Sequence, residues 1–143
     1  MEDEIRRFFA RYERVFAGAL HGDVAMEEVA ALYAAEFISA SPAGVTTGKN
    51  DDQFRAAMAQ GYARYRAIGT KGMRVRDVRI SPMDEHHCVA HVAWTATYAR
   101  GDRPDVEIEF DVHYLVQKLG RDPKVFGWVS GDEEAALKAH GVM

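Results

Sequence analysis

The segment from Cys88 to Lys118 constrains the fold most, because it reads as two long strands joined by a turn at residues 100–104. In the second strand, apolar or aromatic residues occupy every even position from 106 to 116, whereas acidic residues and a histidine occupy the odd positions from 107 to 113. Such alternation is typical of a strand with one buried and one solvated face. A turn centred on Asp102 pairs Tyr98 with Val106, Trp94 with Phe110, Val92 with Val112 and Ala90 with Tyr114. The apolar sides then coincide, as a stable register requires.

The composition of the chain limits its class. With 143 residues, residues 1–143 are expected to form a single domain around one core. The net charge of −4 argues against nucleic acid or an anionic membrane as the main partner. No apolar run approaches the roughly 20 residues that span a bilayer. The lone Cys88, placed within a strand, fits a reducing compartment, so we expect a cytoplasmic protein.

The first part of the chain predicts two helices. Apolar residues recur every three or four positions from about Asp3 to Leu20, which indicates an amphipathic helix. After His21-Gly22, Asp23 is expected to cap a shorter helix that runs through about Ala34 and has Tyr33 on its inner side.

A short strand and a third helix are expected next. The strand covers Glu36–Ser41, and Pro42–Lys49 reads as a loop with two glycines. Asn50, with Gln53 three residues on, resembles a capping box and opens a helix that ends at Gly69.

The remaining segments predict two further strands and a terminal helix. Residues 70–80 form a strand whose buried positions switch from odd to even, so we expect a β-bulge near Arg76-Asp77. The last strand is Lys124–Ser130, followed by a helix over 133–140 that Asp132 caps and Gly141 ends. The order α-α-β-α-β-β-β-β-α, with largely sequential antiparallel strands, predicts an α+β domain with helices on one face of a curved sheet.

This pattern resembles the nuclear-transport-factor-2-like superfamily, in particular its SnoaL-like small bacterial members. The features that carry the resemblance are the opening helix, the long hairpin and three segments: Ala31–Phe37, Ser41–Lys49 and Phe126–Gly141. The resemblance implies a cone, in which a strongly bent antiparallel sheet packs against three helices from the N-terminal half, with a short C-terminal helix and a pocket at the wide end. It also implies a homodimer that pairs through the outer face of the sheet. The family includes ketosteroid isomerases, polyketide cyclases and dehydratases, but a shared fold is weak evidence for function.

The isomerase-like members of that family use an aspartate base near the first strand. The corresponding stretch here, residues 37–43, contains two serines and no carboxylate. We therefore do not expect an isomerase of that kind.

The predicted inner faces are unusually rich in tyrosine and tryptophan. A plain core would account for many of these residues, but phenols and indoles carry polar atoms that need partners. Their excess favours a partly open cavity for a planar, mostly apolar ligand. The predicted ligand-binding residues are Tyr12, Tyr33, Phe37, Met58, Tyr62, Tyr65, Trp94, Tyr98, Phe110, Tyr114 and Trp128. We expect neither a cofactor nor a metal ion.

The titratable residues of the hairpin fall on its other face. The predicted register places His91 opposite His113, with Thr95, Glu109 and Asp111 on the same side. These groups could hold a divalent metal, could face solvent, or could pair across a two-fold axis, and we expect the last, a homodimer interface.

Asp77, beside the expected bulge, is the one carboxylate that the bulge could redirect inward. Burial would raise its pKa and suit it to acid–base work.

Three functions fit these observations. The first is a cofactor-free cyclase, isomerase or dehydratase that acts on an apolar carbonyl compound. The second is a non-catalytic module that binds an apolar metabolite. The third is a dimeric interaction domain. An acid or a histidine inside the cavity would favour the first, a cavity of phenols and hydroxyls alone the second, and a cavity too small for any ligand the third.

Overall fold

The computed structural model describes residues 1–22, 25–120 and 122–142. The elements in chain order are α1 (Glu2–Leu20), α2 (Met26–Ala30), β1 (Tyr33–Ser41), β2 (Gly44–Lys49), α3 (Asp52–Ala67), β3 (Thr70–Pro82), β4 (His87–Arg100), β5 (Arg103–Gln117), β6 (Lys124–Ser130) and α4 (Glu133–Ala139). The strands form one six-stranded sheet in the order β2-β1-β6-β5-β4-β3. Neighbouring strands are antiparallel except β1 and β6, which run parallel. The predicted α+β fold is confirmed.

No helix in the described ranges is long and apolar enough to cross a membrane.

The central hairpin has the predicted register. Strands β4 and β5 pair Ala90 with Tyr114, Val92 with Val112, Trp94 with Phe110 and Tyr98 with Val106. On the inner side of the pair, Trp94 and Ile108 are almost completely buried. The alternating apolar and polar positions of β4 and β5 therefore correspond to residues in the core and residues on the outer face.

Strand β3 carries the predicted bulge. Val75 pairs with Trp94 and Asp77 with Ala93, so Arg76 is the extra residue. The Val75 amide, where the ladder is interrupted, donates to a carboxylate oxygen of Glu13 on α1 at 2.5 Å. A bulge bends its strand, and this side-chain bond fixes α1 against the bend.

The start of α3 differs from the prediction. Asp51, not Asn50, is the N-cap, and its carboxylate accepts from the Phe54 amide at 3.0 Å. The Asn50 amide group donates instead to the carbonyl oxygens of Ala30 and Tyr33, at 2.8 and 3.1 Å. Two adjacent residues can both cap a helix, and the tertiary partners of Asn50 decide between them.

Helix α2 is shorter than predicted. It ends at Ala30, and Tyr33 and Ala34 belong to β1, while the expected cap, Asp23, lies outside the described residues. The reason is tertiary. The Val125 amide of β6 donates to the carbonyl oxygen of Leu32 at 2.9 Å, and Tyr33 is the first β1 residue in register with Val125. Pairing with β6 outweighs the helical pattern of this segment.

The expected loop over 42–49 was also wrong, because Gly44–Lys49 forms the edge strand β2. It pairs along its whole length with β1. Its three β-branched residues, at positions 45–47, favour a strand. One of the two glycines that indicated a loop, Gly48, lies against the ring of Phe37, where an added Cβ would sit 2.5 Å from a ring carbon.

Helix α4 ends as predicted. Asp132 accepts from the Ala135 amide at 2.9 Å at the start of the helix. At its end, Gly141 has φ +74, and the Val142 amide donates to the Leu137 carbonyl oxygen at 2.9 Å. This is a Schellman motif.

Candidate functional site

A cavity of about 460 Å³ lies between the inner face of the sheet and helices α1, α3 and α4. A volume of this order is typical of small-molecule sites. Its lining is mainly aromatic, and every strand of the sheet except β2 contributes to it. The core between sheet and helices is thus incompletely filled, and the gap is large enough for a ligand.

The structure gathers all but one of the predicted ligand-binding residues around this cavity. The lining includes Tyr12, Tyr33, Met58, Tyr62, Tyr65, Trp94, Tyr98, Phe110, Tyr114 and Trp128. Phe37 lies outside it and stacks on Trp128 with ring centroids 5.3 Å apart. That these residues bind a ligand stays a prediction.

Asp77 does not face the cavity. It is exposed and pairs with Ala93, an outward-facing position of β4. The bulge residue is Arg76, so the switch of parity turns Val78 inward and leaves Asp77 outside. The bulge therefore does not redirect this carboxylate inward, which the sequence had left open.

Four polar side chains meet in the buried wall of the cavity. The indole N–H of Trp94 donates to the Tyr114 hydroxyl at 3.2 Å. The hydroxyl oxygens of Tyr12 and Tyr33 lie 2.7 Å apart. The rings of Tyr12 and Tyr114 also pack against each other, with centroids 5.5 Å apart. We refer to Trp94, Tyr114, Tyr12 and Tyr33 as the tyrosine relay.

The protons of the relay outnumber the hydrogen bonds between its phenols. An indole N–H only donates, so the Tyr114 oxygen accepts from Trp94. The Tyr12 and Tyr33 hydroxyls carry two protons but share one hydrogen bond, in which either oxygen can be the donor. One of these protons is therefore left for another acceptor, and both residues line the cavity. The hydrogen bond within the pair polarises the remaining donor and strengthens it.

The phenols are neutral over the physiological range. Burial raises the pKa of Tyr12 and Tyr114 well above the ordinary value. Burial also raises the pKa of Tyr33, although the hydrogen bond from Tyr12 opposes the rise. It raises the pKa of Tyr62 and Tyr98 to about 12. All of these residues therefore keep the proton that a donor needs.

The charged groups of the cavity lie at its exposed mouth. Asp132 and Glu133, at the start of α4, line the cavity and are exposed. Burial, and then the negative charge of Glu133, raise the pKa of Tyr65. Asp111 also touches the cavity, but its carboxylate lies 3.9 Å from Arg76, at an outward-facing position of β5.

The outer face of the hairpin carries the predicted histidine pair. The Nδ1 atoms of His91 and His113 lie 2.7 Å apart, and the Ser81 hydroxyl lies 2.9 Å from His91 Nε2. Burial, and then the charge of Arg79, lower the pKa of His91. Thr95 is buried between its cross-strand neighbours. Within the described part of the chain, no group of three or more His, Cys, Asp or Glu residues could hold a metal ion.

Sequence reasoning missed several lining residues. The sequence could have predicted Phe16 as a lining residue, because it lies one turn after Tyr12 on the same face of α1. The sequence could not have predicted Glu133, since its place at the mouth depends on where α4 packs. Gly61 has no atom within 4 Å of an added Cβ and forms part of the cavity wall.

Comparison with known proteins agrees with the fold. The family model described as NTF2-like protein (DUF6841) matches residues 3–133. No curated protein matches the sequence significantly.

Solved structures with this fold are distant in sequence. An NTF2-like protein with a cystatin-like fold from Novosphingobium aromaticivorans is 14% identical, with a TM-score of 0.68 over 99% of this chain and 88% of that chain. A protein from the same organism, provisionally named a scytalone dehydratase, is 17% identical, with a TM-score of 0.65 over 90% and 80%. A ketosteroid isomerase-like protein from Erwinia carotovora atroseptica is 12% identical, with a TM-score of 0.61 over 90% and 93%. At these identities the likeness shows the fold alone.

Proposed function

The chain belongs to the NTF2-like family, and we propose that this member binds a planar, mostly apolar small molecule through a carbonyl or phenolic oxygen. One observation carries the proposal. The hydroxyls of Tyr12 and Tyr33 share one hydrogen bond but carry two protons, so one proton is left for another acceptor in the wall of a largely aromatic cavity of about 460 Å³, and we assign that proton to Tyr33. A ligand oxygen would satisfy that proton, and the aromatic rings would cover the apolar body of the ligand.

An oxygen held in this way is also polarised. A donor aimed at a carbonyl oxygen stabilises the negative charge that develops there when a neighbouring carbon loses a proton, and such donors contribute about 10²–10³ in rate where measured. This step is shared by cofactor-free cyclases, isomerases and dehydratases. The names of two structural relatives, a scytalone dehydratase and a ketosteroid isomerase-like protein, support this class of reaction.

A second candidate function is binding without chemistry. In the described part of the chain, no histidine lines the cavity, and the lining carboxylates of Asp132 and Glu133 are exposed at the mouth, whereas the relay is buried. A proton acceptor beside the relay is needed for enolisation. Its absence from the buried wall favours a module that shelters its ligand.

Calorimetric titration with 2-naphthol, a planar apolar phenol, tests the binding proposal. We expect saturable binding that Tyr33→Phe weakens about fivefold to tenfold, the effect of losing one hydrogen bond. Tyr62→Phe is the matched control, because Tyr62 also lines the cavity but lies outside the relay. Equal affinity of the two variants would contradict the role of Tyr33.

Deuterium exchange separates the two candidate functions. The protein is mixed with 2-tetralone, an apolar ketone, in D₂O, and loss of the α-proton signals is followed by NMR. Exchange faster than in buffer, and slowed by Tyr33→Phe, would support an enzyme. Binding of 2-tetralone without faster exchange would support the sheltering module.

We further propose that the protein is a homodimer that pairs through the outer face of the sheet. Ile38, Val45 and Val129 are 39%, 65% and 48% exposed on this face, and Val129 pairs with His113. These neighbouring apolar side chains are the kind of surface that a second copy covers. In sedimentation velocity, Val129→Glu is expected to shift the protein towards monomer. An unchanged sedimentation coefficient would remove this face as the interface.

We also propose that the protein works in a reducing compartment such as the cytoplasm. Its lone Cys88 is free and completely buried. Burial raises the pKa of the Cys88 thiol, which keeps it unreactive. Fractionation of cells that express the chain would test this.

A further inference from the structure

The two ends of the cavity differ in charge. The buried end presents the neutral phenols of the tyrosine relay. The exposed end presents carboxylates, and among the described residues no lysine, arginine or histidine lines the cavity. A ligand that fills the cavity therefore meets neutral hydrogen-bond donors at one end and negatively charged carboxylates at the other.

Glu133 is the lining carboxylate best placed to meet a ligand. Asp132 accepts from the Ala135 amide, and the Asp111 carboxylate lies near Arg76 on the outer face. Glu133 lines the cavity together with Tyr65, and its negative charge helps to raise the pKa of that phenol.

Helix stability alone does not explain this placement. Acidic residues in the first turn stabilise a helix through its dipole, and Glu134 serves that purpose as well as Glu133 does. Glu134, however, points away from the cavity lining and lies 3.8 Å from Lys138. The two neighbouring glutamates thus differ in surroundings, although they share a helix and a charge.

We propose that the ligand carries a protonated amine at the end opposite its carbonyl or phenolic oxygen, and that this amine lies at the mouth beside Glu133. The inference rests on the proposed function, because it takes the oxygen to be held by Tyr33. The carboxylate attracts the cation. The aromatic faces of Tyr65 and Tyr98 add a further attraction for an ammonium group. A ligand with a carboxylate at the same end would be repelled.

The reverse orientation is unfavourable. An ammonium group at the buried end would leave water for a region lined by neutral phenols and apolar rings, without a carboxylate to pair with it. Burying an unpaired charge is costly. The amine therefore belongs at the mouth and the oxygen at the relay.

Three naphthalene probes test the inference by calorimetric titration at low salt and neutral pH. They are 2-naphthol, 6-(aminomethyl)-2-naphthol and 6-hydroxy-2-naphthoate, which share the phenol and differ in charge at the far end. We expect the amine to bind about threefold to fivefold more tightly than 2-naphthol, the range of an exposed ion pair. We expect the carboxylate to bind more weakly than 2-naphthol. High salt should reduce both differences.

Two variants locate the effect. Glu133→Gln should abolish the advantage of the amine over 2-naphthol, measured as the ratio of the two affinities in the same variant. Glu134→Gln, the same change one residue away, should preserve that advantage.

The outcomes separate the two proposals. If 2-naphthol does not bind, the proposed function fails and this inference fails with it. If 2-naphthol binds and Tyr33→Phe weakens it, but the carboxylate probe binds as well as the amine, only this inference is overturned. It is likewise overturned if the amine keeps its full advantage in Glu133→Gln.

Discussion

Replacement of Tyr12 by phenylalanine removes one oxygen from the middle of the tyrosine relay. Tyr12 is 9% exposed and its hydroxyl lies 2.7 Å from that of Tyr33. Without it, the Tyr33 hydroxyl loses its buried hydrogen-bond partner. The Tyr33 hydroxyl also loses the polarisation that this partner supplies.

The size of the effect follows from these two losses. A buried donor left without an acceptor costs about 1–3 kcal/mol. We therefore expect Tyr12→Phe to lower the free energy of unfolding by about 1–3 kcal/mol, which corresponds to roughly 3–10 °C in melting temperature for a domain of this size.

Ligand binding should weaken as well. A neighbouring hydrogen bond strengthens a donor by roughly 10–30%, so the affinity for 2-naphthol should fall by about twofold at most, less than in Tyr33→Phe. Thermal unfolding and calorimetry measure the two effects on the same samples. Tyr62→Phe, which deletes a buried phenol oxygen outside the relay, serves as the control. If Tyr12→Phe matched this control in both measurements, the relay would not be a coupled unit.

Three further predictions concern the bulge, the phenols and the indole. Glu13→Ala should lower the free energy of unfolding in urea by about 1–3 kcal/mol, because the Val75 amide loses its acceptor; a loss no larger than that of Glu28→Ala, an exposed glutamate, would contradict this. The folded chain binds the protons of phenols such as Tyr62 more tightly than the unfolded chain does. The contribution of these phenols to the free energy of unfolding should therefore be fully present below about pH 10 and be lost as the pH rises towards 12. Ionisation of these phenols before unfolding, seen in ultraviolet absorbance, would contradict it. Trp94→Phe should remove much of the fluorescence quenching by 2-naphthol, and unchanged quenching would show that Trp94 is not in contact with the ligand.

Local sequence patterns predicted much of the fold. The period-2 alternation of β4 and β5 defined their register to the residue, and the switch of parity in β3 indicated the bulge. The caps of α4 were likewise readable, because Asp132 and Gly141 act on backbone groups only a few residues away. The aromatic residues that line the cavity follow from the same alternation, since it determines which face of each strand is buried.

Other features were decided by partners far away in the chain. β1 begins at Tyr33 and not after Ala34 because β6, more than ninety residues later, supplies a parallel partner for it. The exposed edge strand β2 has little hydrophobic pattern, so its pairing with β1 and not its own sequence establishes it. The orientation of Asp77 could not be predicted, because a bulge can turn either of two adjacent residues outward and the contact of the bulge with α1 forms only in the folded chain.

The amino-acid sequence by itself determined which residues of α1, β4 and β5 face the core, since that depends on the helical period of 3.6 and the strand period of 2. Only the tertiary structure decided which buried groups meet. The hydroxyls of Tyr12 and Tyr33 come from a helix and a strand that share no local pattern, and Glu133 lines the cavity because α4 lies against it. Hydrogen bonds and charge interactions act over a few ångströms in space, so the chemistry of the cavity is defined only once the distant segments have packed together.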